Sequence, residues 1–254
     1  MNSWSPPAFE VREAGVEAVS EVVLHRLDAL SSPGLADRGR LGEGPLVIGL
    51  AGSVAAGKSR LAAELRSQVG TGRVEIIGTD GFLFPNATLS ARGLAARKGF
   101  PESYDGALAT AVLGRIAGGE RDVLVPTYSH QTYDVDGPPQ LVRRPEVVIV
   151  EGVNALLPPI VDFCALRVFL DADERDLQRW YVERFVSLVA EGEGFYRQWA
   201  GMPAAEVRQL ATMVWEHVNL PNLTEHILPT RWTADVVVRK GPDHRVVAVA
   251  LRVL

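Results

Sequence analysis

Short apolar runs alternate with amphipathic stretches along most of this chain. Continuous apolar runs predict buried strands at residues 46–50, 74–77, 123–125, 147–150, 166–170, 235–240 and 246–253. Apolar residues at helical spacing predict helices near 58–69, 106–117, 173–190 and 203–217. Strands that alternate with helices are typical of the α/β class, so we expect a mostly parallel central β-sheet flanked by helices on both faces.

The first 44 residues show a different pattern. Residues 10–30 carry apolar side chains at helical spacing, namely Val16, Val19, Val23, Leu27 and Leu30, and a Ser-Ser-Pro-Gly stretch follows. A glycine-rich stretch then runs from residue 35 to 45. We therefore expect residues 1–44 to form an N-terminal helix and linker that pack on the core, and residues 45–254 to form a single domain.

Composition narrows the class of protein without identifying it. The net charge is −5 and the basic residues are scattered, which argues against a nucleic-acid or membrane surface. No apolar run approaches the ~20 residues that span a bilayer, and the N-terminus lacks the pattern of a signal peptide. The single cysteine, Cys164, cannot form an internal disulfide. A cytoplasmic protein is the expectation.

Residues 52–59, GSVAAGKS, match the phosphate-binding pattern G-x-x-x-x-G-K-[ST]. They follow a predicted strand and open a predicted helix, which is the context that this loop requires. Its backbone N–H groups and the helix N-terminus would face phosphate oxygens. Lys58 would reach the β- and γ-phosphates and Ser59 would ligate Mg²⁺. The pattern predicts nucleoside triphosphate binding, and it leaves the phosphate acceptor open.

Two carboxylates follow buried strands and should emerge at the same edge of the sheet. Asp80 comes after the strand at 74–77, and Glu151 comes after the strand at 147–150. Each could simply cap its strand, but a phosphate loop at the same edge favours catalytic roles. Glu151 is better placed for the metal, and Asp80 for the hydroxyl of the acceptor.

The stretch PTYSHQTYD, residues 126–134, carries three large side chains with polar tips within six positions. These are Tyr128, His130 and Tyr133, and Asp134 follows them. Rigid apolar rings with hydrogen-bonding ends suit a pocket for a small molecule that bears hydroxyl and methyl groups. An aromatic corner packed against a loop explains the same letters equally well, so local sequence leaves both interpretations open.

Several blocks together resemble the bacterial type I pantothenate kinases, P-loop kinases related to the phosphoribulokinase/uridine kinase group. The blocks include GLAGSVAAGKS, TDGFLFPN, KGFPESYDG, VPTYSHQTYDV, VIVEGVNAL, RWYVERF, VNLPNLTEHILPTR and DHRV, and they cover roughly residues 46 to 250. The resemblance implies a P-loop kinase fold for residues 45–254 and transfer of the ATP γ-phosphate to the primary hydroxyl of pantothenate. It also implies Mg²⁺, a homodimer, and coenzyme A as a feedback ligand.

The resemblance also implies a role for individual residues. Asp80 falls on the catalytic base, Arg184 on the arginine that neutralises the transferring phosphoryl group, and Glu151 joins Ser59 at the metal. The nucleotide site is expected at Gly52, Ser53, Val54, Ala55, Ala56, Gly57, Lys58, Ser59, Arg60, Lys240 and His244. The pantothenate site is expected at Lys98, Tyr128, His130, Tyr133, Tyr181, Arg184 and Asn219.

The chain departs from the family pattern at four places. The connection at residues 156–161 is short, the aromatic pair before a late helix becomes Phe195, Tyr196 and Trp199, Ala63 replaces a basic residue implicated in feedback, and His226 replaces an asparagine. These changes leave two alternatives open: another small-molecule kinase of this fold, acting on a nucleoside, sugar or pantothenate-like alcohol, and a regulator without catalysis. Retention of Lys58, Ser59, Asp80, Glu151 and Arg184 together disfavours the regulator.

Overall fold

The structure, a computed structural model, describes residues 9–13, 21, 24–25 and 44–252. Its first strand is Phe9–Glu13, and the alternating Phe9 and Val11 pack against the core. The prediction of a helix from residue 10 is wrong at its start, because residues 10–13 form a strand that pairs with the C-terminal strand. The residues that carried that expectation, Val16, Val19, Val23, Leu27 and Leu30, lie outside the described residues, as do residues 35–43 of the linker.

The described strands are β1 (Phe9–Glu13), β2 (Leu46–Gly52), β3 (Val74–Gly78), β4 (Val123–Ser129), β5 (Asp134–Val142), β6 (Val147–Glu151), β7 (Leu166–Asp171), β8 (Val236–Lys240) and β9 (Val246–Arg252). Seven of them form one sheet in the order β1-β9-β8-β7-β2-β6-β3. Strands β3, β6, β2, β7 and β8 are parallel, whereas β9 is antiparallel to β8 and β1. The expected mostly parallel sheet is confirmed.

The described helices are α1 (Lys58–Val69), α2 (Asn86–Ala91), α3 (Gly106–Ala117), α4 (Glu174–Glu191), α5 (Ala204–Val214) and α6 (Leu220–Asn222). The helices expected near 58–69, 106–117 and 173–190 are confirmed. The fourth ends at Val214, and the chain continues through wider and tighter helical turns to Thr233. Among these described helices, none combines the length and the hydropathy that crossing a membrane requires.

Successive residues of a strand point to opposite faces of the sheet, so the apolar strands place side chains on both faces, and helices cover each of them. Val148 and Val150 of β6 belong to a core that also contains Leu113 of α3. Ile149, between them, belongs to a second core with Leu65 of α1. All three β6 residues are fully buried, which explains why this strand reads as an unbroken apolar run.

Strands β4 and β5 form a separate antiparallel ribbon beside the central sheet. The apolar run at 123–125 is therefore a strand, but it is not part of the parallel sheet. Its partner β5 was not predicted, because its sequence contains Pro138 and Pro139 and few apolar residues. Prolines are tolerated at strand edges, and a two-stranded ribbon consists of edges. Gln140 ties the ribbon to β3 by donating hydrogen bonds to the Ile76 carbonyl (3.1 Å) and to Glu75 (3.2 Å).

Candidate active site

The phosphate loop connects β2, the central one of the five parallel strands, to the N-terminus of α1. Gly52 adopts a φ of 154°, and a Cβ atom at this position would lie 2.5 Å from the Leu170 carbonyl oxygen of the neighbouring strand. Gly57 adopts a φ of 92° at the entry to α1, again a conformation that favours glycine. The two glycines thus allow the tight turn between β2 and α1.

Lys58 and Ser59 open α1 beside the end of β6. The Lys58 Nζ atom donates to the Ser53 carbonyl at 2.9 Å, and the Ser59 hydroxyl donates to Glu151 Oε1 at 2.7 Å. Burial lowers the pKa of Lys58, while the charges of Glu151 and Asp80 act in the opposite direction. Within the described part of the chain, no group of three or more His, Cys, Asp or Glu side chains is arranged to hold a metal. At this edge, the Ser59 hydroxyl and the Glu151 carboxylate are hard oxygen donors in direct contact.

Asp80 lies in a tight helical turn, Thr79–Phe82, that directly follows β3. The end of β3 is adjacent to Glu151 in the sheet, so the two carboxylates emerge at the same edge, as the sequence predicts. A Cβ atom on Gly81 would lie 2.1 Å from the Pro126 carbonyl oxygen, so this glycine allows the ribbon to approach the turn closely. The ribbon thereby brings the PTYSHQTYD stretch next to Asp80.

A cavity of about 520 Å³ opens at this edge between the phosphate loop and the ribbon. Every residue expected to contact the acceptor lines it: Lys98, Tyr128, His130, Tyr133, Tyr181, Arg184 and Asn219. Asp80 and Glu151 line the same cavity, together with Val54, Ala55, Lys58 and Ser59. The other residues expected at the nucleotide lie outside this lining: Gly52, Ser53, Ala56, Gly57, Arg60, Lys240 and His244. The fold thus brings the residues expected at the acceptor together with both carboxylates, whereas only four of the eleven residues expected at the nucleotide share this lining.

The aromatic side chains of the ribbon pack against one another. The Tyr128 ring contacts those of His130 and Tyr133 edge-on, with centroids 5.2 and 5.8 Å apart. Tyr133, at the ribbon turn, stacks on Phe195 at 4.0 Å. Burial raises the pKa of both tyrosines well above the usual range, so their phenols remain protonated donors. The cluster is consequently both packed and directed into the cavity, which combines the two interpretations left open by its sequence.

Lys98 is held at the cavity wall by this cluster. Its Nζ atom donates to the Tyr133 carbonyl at 2.5 Å and to Asn86 Oδ1 at 2.7 Å. The ammonium also lies 4.3 Å from the centre of the Tyr133 ring and 4.9 Å from that of Tyr128. Burial lowers the pKa of Lys98, and the nearby charges of Asp134 and Asp80 oppose this shift.

Helix α4 and the turns after α5 form the opposite wall. Tyr181 and Arg184 are one turn apart on α4 and both line the cavity. Burial raises the pKa of Tyr181 to about 12. The charge of Arg184 lies close enough to Lys58 to lower its pKa. A hydrogen bond with the Asn219 side chain acts in the opposite direction to burial on the pKa of Tyr181, so these two residues lie side by side on this wall.

The expected adenine-side residues lie on the other side of the phosphate loop. Lys240, at the end of β8, donates from Nζ to the Ala56 carbonyl at 2.8 Å. His244 stacks on Trp180 of α4, with ring centroids 3.9 Å apart and planes inclined by 23°. Burial lowers the pKa of both Lys240 and His244, and the charge of Arg60 adds to each shift.

Sequence reasoning missed one residue of the cavity wall and one residue on the expected adenine side. Tyr104 donates a hydrogen bond to Asp80 Oδ1 at 3.2 Å, and Trp180 provides the stacking surface for His244. Both lie inside the blocks that carried the family resemblance, KGFPESYDG and RWYVERF, which was the available signal. Neither was singled out, because a buried tyrosine or tryptophan is far more often part of a core than of a site.

Two of the departures from the family pattern are placed by the structure. The short helical segment Gly194–Trp199 brings Tyr196 to the cavity and Phe195 onto Tyr133. His226 packs edge-on against Phe100 at 5.9 Å, and Asn222 nearby donates to the Gly99 carbonyl at 2.8 Å. His226 therefore lies on the acceptor side of the site, beside the segment that carries Lys98.

Comparison with known proteins agrees with this geometry. Residues 47–184 match the phosphoribulokinase/uridine kinase family. The chain is 46% identical over 228 residues to a pantothenate kinase of Sorangium cellulosum, covering 84% of this chain and 74% of that protein. It is 44% identical over 224 residues to a pantothenate kinase of Leifsonia xyli, covering 82% and 70%. The structure of D-glycerate 3-kinase from Cryptococcus neoformans superposes with a TM-score of 0.62 at 14% identity, covering 92% of this chain and 98% of that one, and supports the fold alone.

Proposed function

Because the chain belongs to the phosphoribulokinase/uridine kinase family and is similar to two pantothenate kinases, we propose that it phosphorylates pantothenate with ATP. The product is 4′-phosphopantothenate, the first intermediate on the way to coenzyme A. The observation that carries the proposal is the single cavity in which Asp80 and the seven acceptor residues meet the phosphate loop.

The nucleotide triphosphate binds with its phosphates on the loop between β2 and α1. The backbone N–H groups and the N-terminus of α1 provide a fixed positive potential for them. Lys58 contacts the β- and γ-phosphates, and the charges of Glu151 and Asp80 oppose the lowering of its pKa by burial. The adenine lies towards His244 and Lys240, outside the acceptor cavity.

The oxygen donors at the edge of the sheet fit a magnesium ion. A hydroxyl and a carboxylate 2.7 Å apart are hard oxygen ligands of the kind that Mg²⁺ prefers. Ser59 and Glu151 would hold the ion, which neutralises negative charge on the phosphates when bound.

Asp80 acts as the general base. Its carboxylate accepts the proton of the primary hydroxyl while the hydroxyl oxygen bonds to the γ-phosphorus and the bond to the bridging oxygen of ADP breaks. Arg184, on the wall facing Lys58, stabilises the charge that is spread over the transferring group. The tyrosines, His130, Lys98 and Asn219 orient the acceptor by hydrogen bonds from the cavity walls.

The test is an assay of ADP release with Mg-ATP and a panel of acceptors: pantothenate, pantetheine, uridine, cytidine and ribulose 5-phosphate. We expect turnover with pantothenate at a micromolar-range KM, and phosphopantothenate in the products by mass spectrometry. Turnover with another acceptor alone would refute pantothenate as the substrate and point to the aromatic residues 195–199 as the retuned wall. ATP binding without turnover across the panel would support the regulator instead.

Regulation and assembly extend the proposal. The reaction belongs in the cytoplasm, where ATP is available, and we expect a homodimer. Coenzyme A inhibition is also expected from the family, but Ala63 is an exposed alanine on α1 in place of a basic residue. Adding coenzyme A to the same assay at several ATP concentrations measures whether inhibition survives this replacement.

A further inference from the structure

Tyr104 contacts the carboxylate that acts as the base. Its phenol donates a hydrogen bond to Asp80 Oδ1 at 3.2 Å. Burial, followed by the charge of Asp80, raises the pKa of Tyr104 well above the usual range of a phenol. The group is therefore protonated at any working pH, and it can only donate to the carboxylate.

Backbone hydrogen bonds place Tyr104 relative to Asp80. The segment containing Tyr104 runs antiparallel to the residues that follow Asp80, with a bridge between Leu83 and Tyr104. The Phe84 N–H donates to the Ser103 carbonyl at 2.9 Å, and the Asp105 N–H donates to the Phe82 carbonyl at 2.7 Å. The phenol is thus fixed to the same turn that carries the carboxylate, on both sides of its own residue.

The side of this segment away from Asp80 is braced as well. The Ser103 hydroxyl is fully buried and donates to the Phe100 carbonyl at 2.6 Å, while it accepts from the Gly99 N–H at 3.0 Å. The Asp105 carboxylate accepts from the Leu108 N–H at 2.9 Å and caps α3. A side chain held in this way loses little further freedom when it orients a neighbour.

The two ammonium groups near Asp80 donate hydrogen bonds to other acceptors. The charge of Asp80 affects the pKa of Lys58 and Lys98, and also that of Tyr128 and Tyr133 on the ribbon. However, the Lys58 ammonium donates to the Ser53 carbonyl, and the Lys98 ammonium donates to Asn86 and the Tyr133 carbonyl. Tyr104 is the neighbour that forms a hydrogen bond with the carboxylate in the described structure.

We propose that Tyr104 is a positioning residue that holds Asp80 Oδ1 and thereby presents Oδ2 to the hydroxyl of the acceptor. The proposal rests on the proposed function, in which Asp80 is the base. Oδ2 accepts the hydroxyl proton as the new bond to the γ-phosphorus forms and the bond to ADP breaks. The phenol keeps its own proton throughout and stabilises the ionised carboxylate before transfer.

The test is Tyr104→Phe, which keeps the ring and removes the hydrogen bond. We expect kcat to fall by ~10-fold while the KM values of ATP and pantothenate change less than about twofold. The acid limb of kcat against pH should move upwards by about one pH unit, because the ionised base has lost a donor. A variant with the wild-type kcat and pH profile would overturn the proposal.

Two controls separate positioning from a structural role. Ser103→Ala weakens the same segment and leaves the phenol in place, so it should lower the melting temperature without moving the pH profile. In an Asp80→Asn background, Tyr104→Phe should cost less than about twofold in kcat, because its target is gone. An undiminished loss in that background would show that Tyr104 does not act through Asp80.

These results are independent of the identity of the acceptor. If the wild type does not phosphorylate pantothenate but does phosphorylate another alcohol of the panel, the proposed substrate is refuted. The Tyr104→Phe comparison is then made with that alcohol, and the same loss of kcat and shift of the acid limb are required.

Discussion

Asp80 and Glu151 follow adjacent strands, yet their surroundings assign them different chemistry. Glu151 accepts a hydrogen bond from the hydroxyl of Ser59, which lies at the N-terminus of α1 beside the phosphate loop. Asp80 accepts a hydrogen bond from the phenol of Tyr104 and lines the cavity together with the aromatic residues of the ribbon. These different surroundings support the proposal that Glu151 serves the nucleotide and its metal and that Asp80 serves the acceptor.

Asp80→Asn should lower kcat by ~10²-fold or more, because an amide cannot accept the proton of the hydroxyl. The dissociation constant of ATP should change little, since the phosphate loop is intact. Steady-state kinetics and calorimetric titration with Mg-ATP measure the two quantities. Asp136→Asn makes the same change at an exposed ribbon position and should leave both at the wild-type values. Unchanged turnover in Asp80→Asn would exclude it as the base.

His130→Ala should raise the KM of the acceptor by ~10-fold, because the ring lines the cavity, where it would form a hydrogen bond with the acceptor, and it also packs edge-on against Tyr128. The KM of ATP should stay within about twofold. His217→Ala removes an exposed histidine that does not line the cavity and serves as the matched control. An increase confined to the KM of ATP would contradict the assignment of His130 to the acceptor pocket.

At the residue scale, sequence predicted side chains whose chemistry is unusual for their position. Lys58 could be named because it belongs to a phosphate-loop pattern, and Asp80 and Glu151 because they follow buried strands that end at the same edge as that loop. Tyr104 could not be distinguished in this way, because a tyrosine that packs and donates one hydrogen bond suits any core. Its role depends on the antiparallel bridge to Leu83, which no local pattern encodes.

At the scale of elements, the buried strands could be predicted from the sequence, whereas a partly exposed strand could not. The parallel strands are covered on both faces and appear as apolar runs, so five of them were located to within one or two residues. The ribbon strand Asp134–Val142 has partly exposed residues and two prolines, so its sequence indicates no strand. The pairing that places the aromatic cluster beside Asp80 is therefore a tertiary effect, visible only once Gly81 and the Pro126 carbonyl are seen in contact.

Strand β8 supports the phosphate loop through one side chain. Lys240→Met keeps the length of the side chain and removes the hydrogen bond to the Ala56 carbonyl. We expect the KM of ATP to rise by ~10-fold, because a charge-assisted hydrogen bond that shapes the loop is lost. The KM of pantothenate should be unaffected. Arg245→Met, at an exposed position of the adjoining turn, is the matched control, and equal effects in both variants would contradict a specific support of the loop.

At the scale of the whole molecule, the family resemblance predicts a homodimer. Large exposed apolar side chains lie on separate elements, at Leu124, Met213, Trp232 and Val247, so the described surface does not single out one dimer face. Light scattering coupled to size exclusion is therefore the direct measurement. We expect a particle of twice the chain mass of 27.5 kDa, and a particle of 27.5 kDa would contradict the dimer.

Nucleotide binding should be visible in the unfolding of the entire domain, because the phosphate loop is continuous with the central strand and is tied to β8. Mg-ATP at ~100 times its dissociation constant stabilises the folded state by ~2.7 kcal/mol. For a domain of this size, that corresponds to a rise in Tm of roughly 5–10 °C. Lys58→Ala should abolish most of the rise in a thermal scan, whereas Asp80→Asn should retain it. Equal losses in the two variants would mean that Asp80 supports the nucleotide site rather than the acceptor, and would contradict the division of labour between the two carboxylates.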